Sequence, residues 1–271
     1  MTPHIAHAIG RTGEGQPDSR WMKMLGRLCL VAAFLAVLAS SVVAQSIPLS
    51  DLSFVKKLKL ARAGDDVAEL AVGMHYERGE GAKQDALEAA RWYREATLKG
   101  NIEAQFLLAK LISKGAKGLT ADKAAAMTLF QSAADRGHAN SQNELGLHFQ
   151  NGDGIPANPS KAAEWYQKAI DQNHAAAMVN LGLLHVRGLG VVRDYGLAVK
   201  LFNAAASQGD AWALNNLGSM YEMGWGLPKD MVKAKEHYQQ ACALGNALAQ
   251  KNLSRLDATA AIAPLTNPTP N

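Results

Sequence analysis

The sequence of 271 residues is poor in cysteine, in aromatic residues and in net charge. Its two cysteines, Cys29 and Cys242, lie far apart, and Cys29 falls inside a candidate export signal, so one thiol would remain after processing. Intramolecular disulfides are thereby excluded from the mature chain. Aromatic residues make up 6% and charged residues 19%, which argues against both an aromatic-lined sandwich and a disordered polyelectrolyte. Four of the 28 Lys and Arg and two of the 24 acids precede residue 45, leaving 24 bases against 22 acids beyond it. Such a balance carries no nucleic-acid footprint. What the chain does have is 48% hydrophobic content, chiefly alanine and leucine, as packed helices require.

One long uncharged run is present. Leu28 to Ala44 follows Lys23 and Arg27 and ends in small residues, the layout of a secretion signal cleaved after Ala44 to expose Gln45. Met22 or Met24 would suit such a signal better as a start than Met1, so residues 1–44 read as a signal peptide with an extended or mis-assigned beginning. The run of 17 residues is short for a spanning helix, which needs about 20. Left uncleaved, residues 28–44 would anchor the chain in the inner membrane with everything after them exported. Gly26-Arg27-Leu28 before Cys29 lacks the small residues of a lipid-attachment site.

Beyond residue 65 the chain repeats itself. Gly73, Ala109, Gly146, Gly182 and Gly218 are spaced 36, 37, 36 and 36, and Gly100, Gly137, Asn173, Gly209 and Gly245 keep the same period. So do Tyr93, Phe130, Tyr166, Phe202 and Tyr238, and the alanines Ala96, Ala133, Ala169, Ala205 and Ala241. Four columns in one register define five units of two helices: 66–101, 102–138, 139–174, 175–210 and 211–246. Asp85, Asp122, Asn158, Asp194 and Asp230 stand where a short side-chain oxygen can cap each second helix. Asp85 with Glu88 spells a capping box, and Pro159 follows Asn158 at a first helical position. Small residues recurring mid-helix mean that a neighbouring helix crosses too closely for a larger side chain. Residues 45–65 and 247–256 read as capping helices over the apolar ends of the stack, and residues 257–271 as a disordered tail.

Asn180-Leu181-Gly182, Gly188-Leu189-Gly190-Val191, Lys161-Ala162, Trp165-Tyr166 and Lys168-Ala169 resemble the signature of the Sel-one-like repeat, a branch of the tetratricopeptide superfamily. Trp92 to Ala96 and Asn216-Leu217-Gly218 carry it again. The resemblance implies an all-α fold, an α-solenoid wound as a right-handed superhelix of five two-helix repeats with helical caps. Unit two departs from it, with Ala109, Ile112 and one extra residue in Gly115 to Gly118, so a widened loop is expected there.

Chemistry is sparse. Ser53 and Lys56 match the S-x-x-K of penicillin-recognising enzymes, but no partner motif follows and the implied fold is wrong for it. Some cysteine-rich relatives carry a β-lactamase label, which does not transfer to a chain without paired cysteines. His138 and His174 occupy equivalent positions, as do His75 and His148. Neighbouring repeats stand about 10 Å apart, too far for zinc bonds of about 2.1 Å to converge. The glycine pairs Gly79/Gly81, Gly152/Gly154, Gly188/Gly190 and Gly224/Gly226 are turn residues with no preceding strand, and Cys242 reads as a small core residue. No catalytic residue, metal or cofactor is expected.

The resemblance implies a monomeric, non-catalytic periplasmic or secreted scaffold or regulator that binds another protein or peptide. An envelope sensor, exopolysaccharide machinery or a host protein would be its target, and a hydrolytic enzyme is the alternative. Tetratricopeptide arrangement also implies that first helices line the concave face. Positions three before, one after and four after the repeat's small residue would then point outward, giving Leu70, Phe106, Asn143, Leu147, Gln150, Val179, Leu183, Val186 and Asn215 as partner-binding candidates.

Overall fold

A computed structural model of the protein describes residues 49–262, so the signal segment and the last nine residues lie outside the described residues. The short 3-10 turn Leu49–Asp51 belongs to a separate unit that ends at Leu52. From Ser53 onward the described residues form helices and no strand. Helix α1 (Phe54–Arg62) precedes the first pair, α2 (Asp66–Arg78) and α3 (Ala86–Leu98). Then come α4 (Ile102–Lys114) with α5 (Lys123–Asp135), α6 (Ala139–Asn151) with α7 (Pro159–Ile170), and α8 (Ala175–Arg187) with α9 (Tyr195–Ala206). The fifth pair is α10 (Ala211–Met223) with α11 (Met231–Ala243), and α12 (Ala247–Ile262) closes the stack. Every helix packs on its neighbours in the chain, which makes the fold an all-α solenoid of repeats.

Inside each pair the small column sets the approach of the two helices. A Cβ added at Gly182 would lie 2.5 Å from Cε1 of Phe202, and one at Gly73 or Gly146 would lie 2.5 Å from the ring of Tyr93 or Tyr166. These rings are wholly buried, as are the alanines Ala96, Ala133, Ala169, Ala205 and Ala241 on the same helices. The hairpin is then closed by hydrogen bonds at both ends. Asp85, Asp122, Asn158, Asp194 and Asp230 each accept from first-turn amides of the second helix. Their own N–H groups donate back to the first helix, at Tyr76, Ile112, Phe149, His185 and Tyr221, over 2.6–3.1 Å. The turn after each second helix contains a positive-φ residue, and Asn173 is the one non-glycine with positive φ (62°) among the described residues. Asparagine tolerates that conformation because its short side chain bonds locally.

The end of each unit is tied back to its start, and to the residue just before it, by a ladder that changes character along the stack. The Lys99 ammonium donates to Glu69 of its own unit at 2.5 Å and to the Gly64 carbonyl just before that unit at 3.0 Å. One repeat later the Arg136 guanidinium donates to Gln105 at 3.0 Å and to the Gly100 carbonyl at 2.7 Å. Gln172 then donates to Gln142, Gln208 approaches Asn173 and the Met178 sulfur, and the fifth position is an exposed Leu244. The loops add a second pin. Gly190 sits so close to the start of α7 that a Cβ would meet the Pro159 carbonyl carbon at 2.4 Å, while the Ser160 hydroxyl donates to the Gly190 carbonyl at 2.8 Å.

Three details differ from the sequence reading or refine it. The capping box is only half formed, because Glu88 is drawn to Arg91 at 2.9 Å and the Asp85 N–H is already used by Tyr76. Helix α12 runs on to Ile262, past the expected end at 256, since Asp257-Ala258-Thr259-Ala260-Ala261 is largely alanine and favours helix. The extra residue of unit two is taken up by a small hairpin in which Ala116 and Leu119 exchange two backbone bonds of 2.9 Å, so the unit survives with a wider loop.

Replacing Gly182 by leucine must displace Phe202 or force α8 from α9. Such overpacking costs about 1–3 kcal/mol. Thermal unfolding of Gly182→Leu is expected several degrees below the parent. Gly196→Ala, where the new methyl would meet only an Asp194 oxygen at 3.4 Å, should melt at or above it.

Candidate functional site

The open face of the stack is carried by the first helices α2, α4, α6, α8 and α10, but in a register rotated from the expected one. Four of the nine candidates are buried. Phe106 packs 6.0 Å from Phe130 and 5.1 Å from the His138 ring. Val179, 6% exposed, belongs to the core around Phe202. Asn143 accepts a 2.9 Å bond from Asn180 of the next unit, and Asn215, 2% exposed, accepts the same bond from Asn252. The position three before the small residue therefore faces the adjacent first helix, and the outward assignment of Phe106, Asn143 and Asn215 is corrected, whereas Val179 is buried yet still lines the cavity between α8, α10 and α12.

The position four after the small residue is occupied within its own repeat. Gln150 accepts a 3.0 Å hydrogen bond from the buried Tyr166 hydroxyl. Glu77 takes the equivalent bond from Tyr93 at 2.5 Å and Glu222 from Tyr238 at 2.8 Å. Where the ring is phenylalanine, at Phe130 and Phe202, that position holds Ser113 and Val186 and no hydroxyl needs a partner. Burial drives all three tyrosine pKa values upward, that of Tyr238 to about 12. Val186 is half-buried against the Phe202 core, and Leu70 packs on the first core cluster. Of the nine, Leu147 and Leu183 sit in the column next to the small residue that contributes to the open face.

The exposed stripe lies six and two before, and one and five after, the small residue. In α8 it comprises Ala176, Asn180, Leu183 and Arg187, and in α10 Trp212, Asn216, Ser219 and Met223. Trp212 is 57% exposed and Met223 51%, although both are large and apolar. Between α8, α10 and α12 this stripe frames a cavity of about 360 Å³ whose walls include Leu183, Arg187, Trp212, Asn216 and Leu248. A volume of that size falls within the range of about 300–1,000 Å³ typical of ligand pockets. Periodicity could have found the stripe, since positions 4, 3 and 4 residues apart share one helix face. Only knowledge of which face meets the neighbouring helix distinguishes it from the stripe 100° away, and a single repeat does not contain that neighbour.

The other candidates have structural work. His138 and His174 cap α6 and α8, their Nδ1 atoms accepting from Ser141 N–H at 3.3 Å and Ala177 N–H at 3.1 Å. His75 and His148 bond loop carbonyls at 2.7 Å. No group of three metal-ligating side chains gathers among the described residues. Ser53 and Lys56 are both exposed, with Ser53 at the start of α1, and Cys242 is half-buried against the last core cluster. Among the described residues no helix is long and apolar enough to cross a membrane.

With this geometry in hand, comparison with known proteins is direct. The Sel1 repeat family model matches residues 66–101, 102–138, 139–174, 175–210 and 213–246. The chain belongs to the Sel1 repeat family, whose fold is a protein-interaction scaffold. Among solved structures it is similar to c5321, a protective antigen present in uropathogenic Escherichia coli strains displaying an SLR fold, at 27% identity and a TM-score of 0.68. That match covers 78% of this chain and 45% of the antigen, so the chain spans under half of that relative's length. A Sel1 repeat protein from Oxalobacter formigenes is 28% identical with a TM-score of 0.65, over 74% of this chain and 89% of its own. The immunity protein Pa5087 from Pseudomonas aeruginosa, at 24% identity and a TM-score of 0.52 over 70% of each chain, shares the fold. A comparison with curated proteins gives no match.

Two half-buried histidines, the cap His174 and His237 on α11, make the stack acid-sensitive. Burial, then the nearby His138, hold the His174 pKa below its ordinary value, and burial lowers that of His237 too. The folded chain then takes up these protons at lower pH than the unfolded chain, whose histidines titrate near about 6.5. Stability present above that value is lost as the pH falls below it. Urea midpoints are expected to drop between pH 7 and 5.5, and His174→Asn, which supplies a cap oxygen that does not titrate, should reduce that drop. An unchanged slope in the variant would show that His174 is not its source.

Proposed function

We propose that this protein is an exported, non-catalytic scaffold or regulator that grips a partner protein on the exposed face of its first helices. The single observation carrying this reading is the cavity between α8, α10 and α12, where Trp212 and Leu248 stand 57% and 42% exposed beside polar Asn216 and Arg187. A large aromatic left in water at the centre of a polar-rimmed hollow is what partner anchors dock against. Leu147 and Leu183 remain part of the surface from the sequence-derived set, with Leu70, Gln150 and Val186 at its margin. Export is supported by Lys23, Arg27 and the uncharged run from Leu28 to Ala44, which lie in the undescribed part of the chain. The partner's identity then decides among an envelope sensor, exopolysaccharide machinery and a host protein.

Two measurements test this. In intact cells, crosslinking followed by mass spectrometry should recover a defined partner. The recovery should vanish for Trp212→Ala with Leu248→Ala while helical content and melting stay near the parent, because both side chains are largely exposed. Undiminished recovery would move the site off this face. N-terminal sequencing of the envelope fraction should read Gln-Ser-Ile-Pro from Gln45, whereas a chain that retains Leu28 to Ala44 would be anchored.

A further inference from the structure

The asparagines on the open face are arranged in a ladder with one broken rung. Asn180, Asn216 and Asn252 recur at intervals of 36 residues, on α8, α10 and α12. Asn180 donates its amide to Asn143 of the preceding first helix and Asn252 donates to Asn215, both at 2.9 Å. The acceptor that Asn216 would need in the same register is Val179, which offers no polar atom. Asn216 consequently has no side-chain hydrogen-bond partner among the described residues, yet it lines the cavity beside Trp212 and Arg187. First helices stand about 10 Å apart. Three residues of an extended chain, at about 3.3 Å each, span the same distance, so a strand laid across the helices would offer one backbone amide group per rung.

Cations outnumber carboxylates along the face. Arg78, Lys110, Lys114 and Arg187 are exposed on it and make no ion pair among the described residues. On the acidic side stand Glu103, which bonds His138 at 2.9 Å and lies in the field of Lys110, half-buried Glu144, and Asp210, which caps α10 and lines the hollow. The apolar hollow lies at the C-terminal end of the face and most of the cations lie toward the other end.

Resting on the protein-binding reading above, we infer that the occupant of this face is an extended acidic peptide segment. One bulky apolar side chain enters the Trp212–Leu248 hollow, Asn216 bonds the peptide backbone, and carboxylates follow toward Arg187, Lys110 and Lys114. Fluorescence anisotropy on the purified protein tests this with labelled ten-residue peptides: a leucine or phenylalanine followed by aspartates, the same peptides with lysine for aspartate, and the same with alanine for the apolar residue. The acidic anchored peptides should bind at least about tenfold tighter than both counterparts. Trp212→Ala should abolish binding, Asn216→Ala should weaken it, and Arg187→Glu should shift the preference toward the lysine peptides. Equal binding of acidic and lysine peptides, indifference to Trp212→Ala, or no binding at all would overturn the assignment. If peptides fail while the crosslinked partner still depends on Trp212 and Leu248, the peptide assignment alone falls. If both fail, the protein-binding reading falls with it.

Discussion

Four of the five repeats depend on the edge of an aromatic ring resting on a helix backbone at a distance that no side chain larger than hydrogen permits. At Gly73, Gly146, Gly182 and Gly218 a Cβ would lie 2.5–2.7 Å from that ring. Glycine inside a helix costs about 1 kcal/mol relative to alanine, so its retention in four units measures how much the close crossing returns in buried ring area. The ring in turn decides its surroundings. A buried hydroxyl needs an acceptor, and Tyr93, Tyr166 and Tyr238 find Glu77, Gln150 and Glu222 one helix away. Phenylalanine releases that position, which becomes Ser113 or Val186.

The bonds that tie the end of each repeat back to its start follow a different logic, and it gives the stack a direction. Toward the N-terminal end they are charge-assisted, with Lys99 on Glu69 and Arg136 on Gln105. Further along they become neutral amides and finally an exposed leucine. Large exposed apolar residues concentrate in the same direction, from Leu189 through Trp212, Trp225, Val232 and Leu248. Val55, Val67, Leu87 and Leu98 are exposed at the other end, so apolar contact area is greater toward the C-terminal end without being confined to it.

Much of the architecture was legible in the sequence because a repeat writes each structural constraint several times. The spacing of the small, aromatic, alanine and capping columns placed the helix pairs, and the extra residue at Gly115 to Gly118 announced the wider loop. Reasoning at the level of one helix failed where the deciding contact comes from another helix, whether of the same repeat, as Tyr166 reaches Gln150, or of the next. Asn143 and Asn215 look like polar surface residues until their donors, Asn180 and Asn252, arrive from 37 residues downstream. Val179 looks like a free groove residue, but it is buried in the core around Phe202 and meets the cavity only as part of its wall. The half-formed capping box failed for a similar reason, since the Asp85 amide hydrogen is claimed by the preceding helix.

The closing helix α12 makes every inter-repeat bond that a first helix makes. Asn246 caps it through the Ala249 amide and donates to the Ala211 carbonyl, and Asn252 seats itself on Asn215 as Asn180 does on Asn143. The terminus is in effect a truncated copy of the unit it protects. Gene duplication could therefore insert or delete whole modules upstream of α12 without redesigning the end, since the new last unit would offer the same docking geometry. Length becomes an evolvable quantity that changes in steps of one repeat, independent of the partner-recognising residues carried by each module.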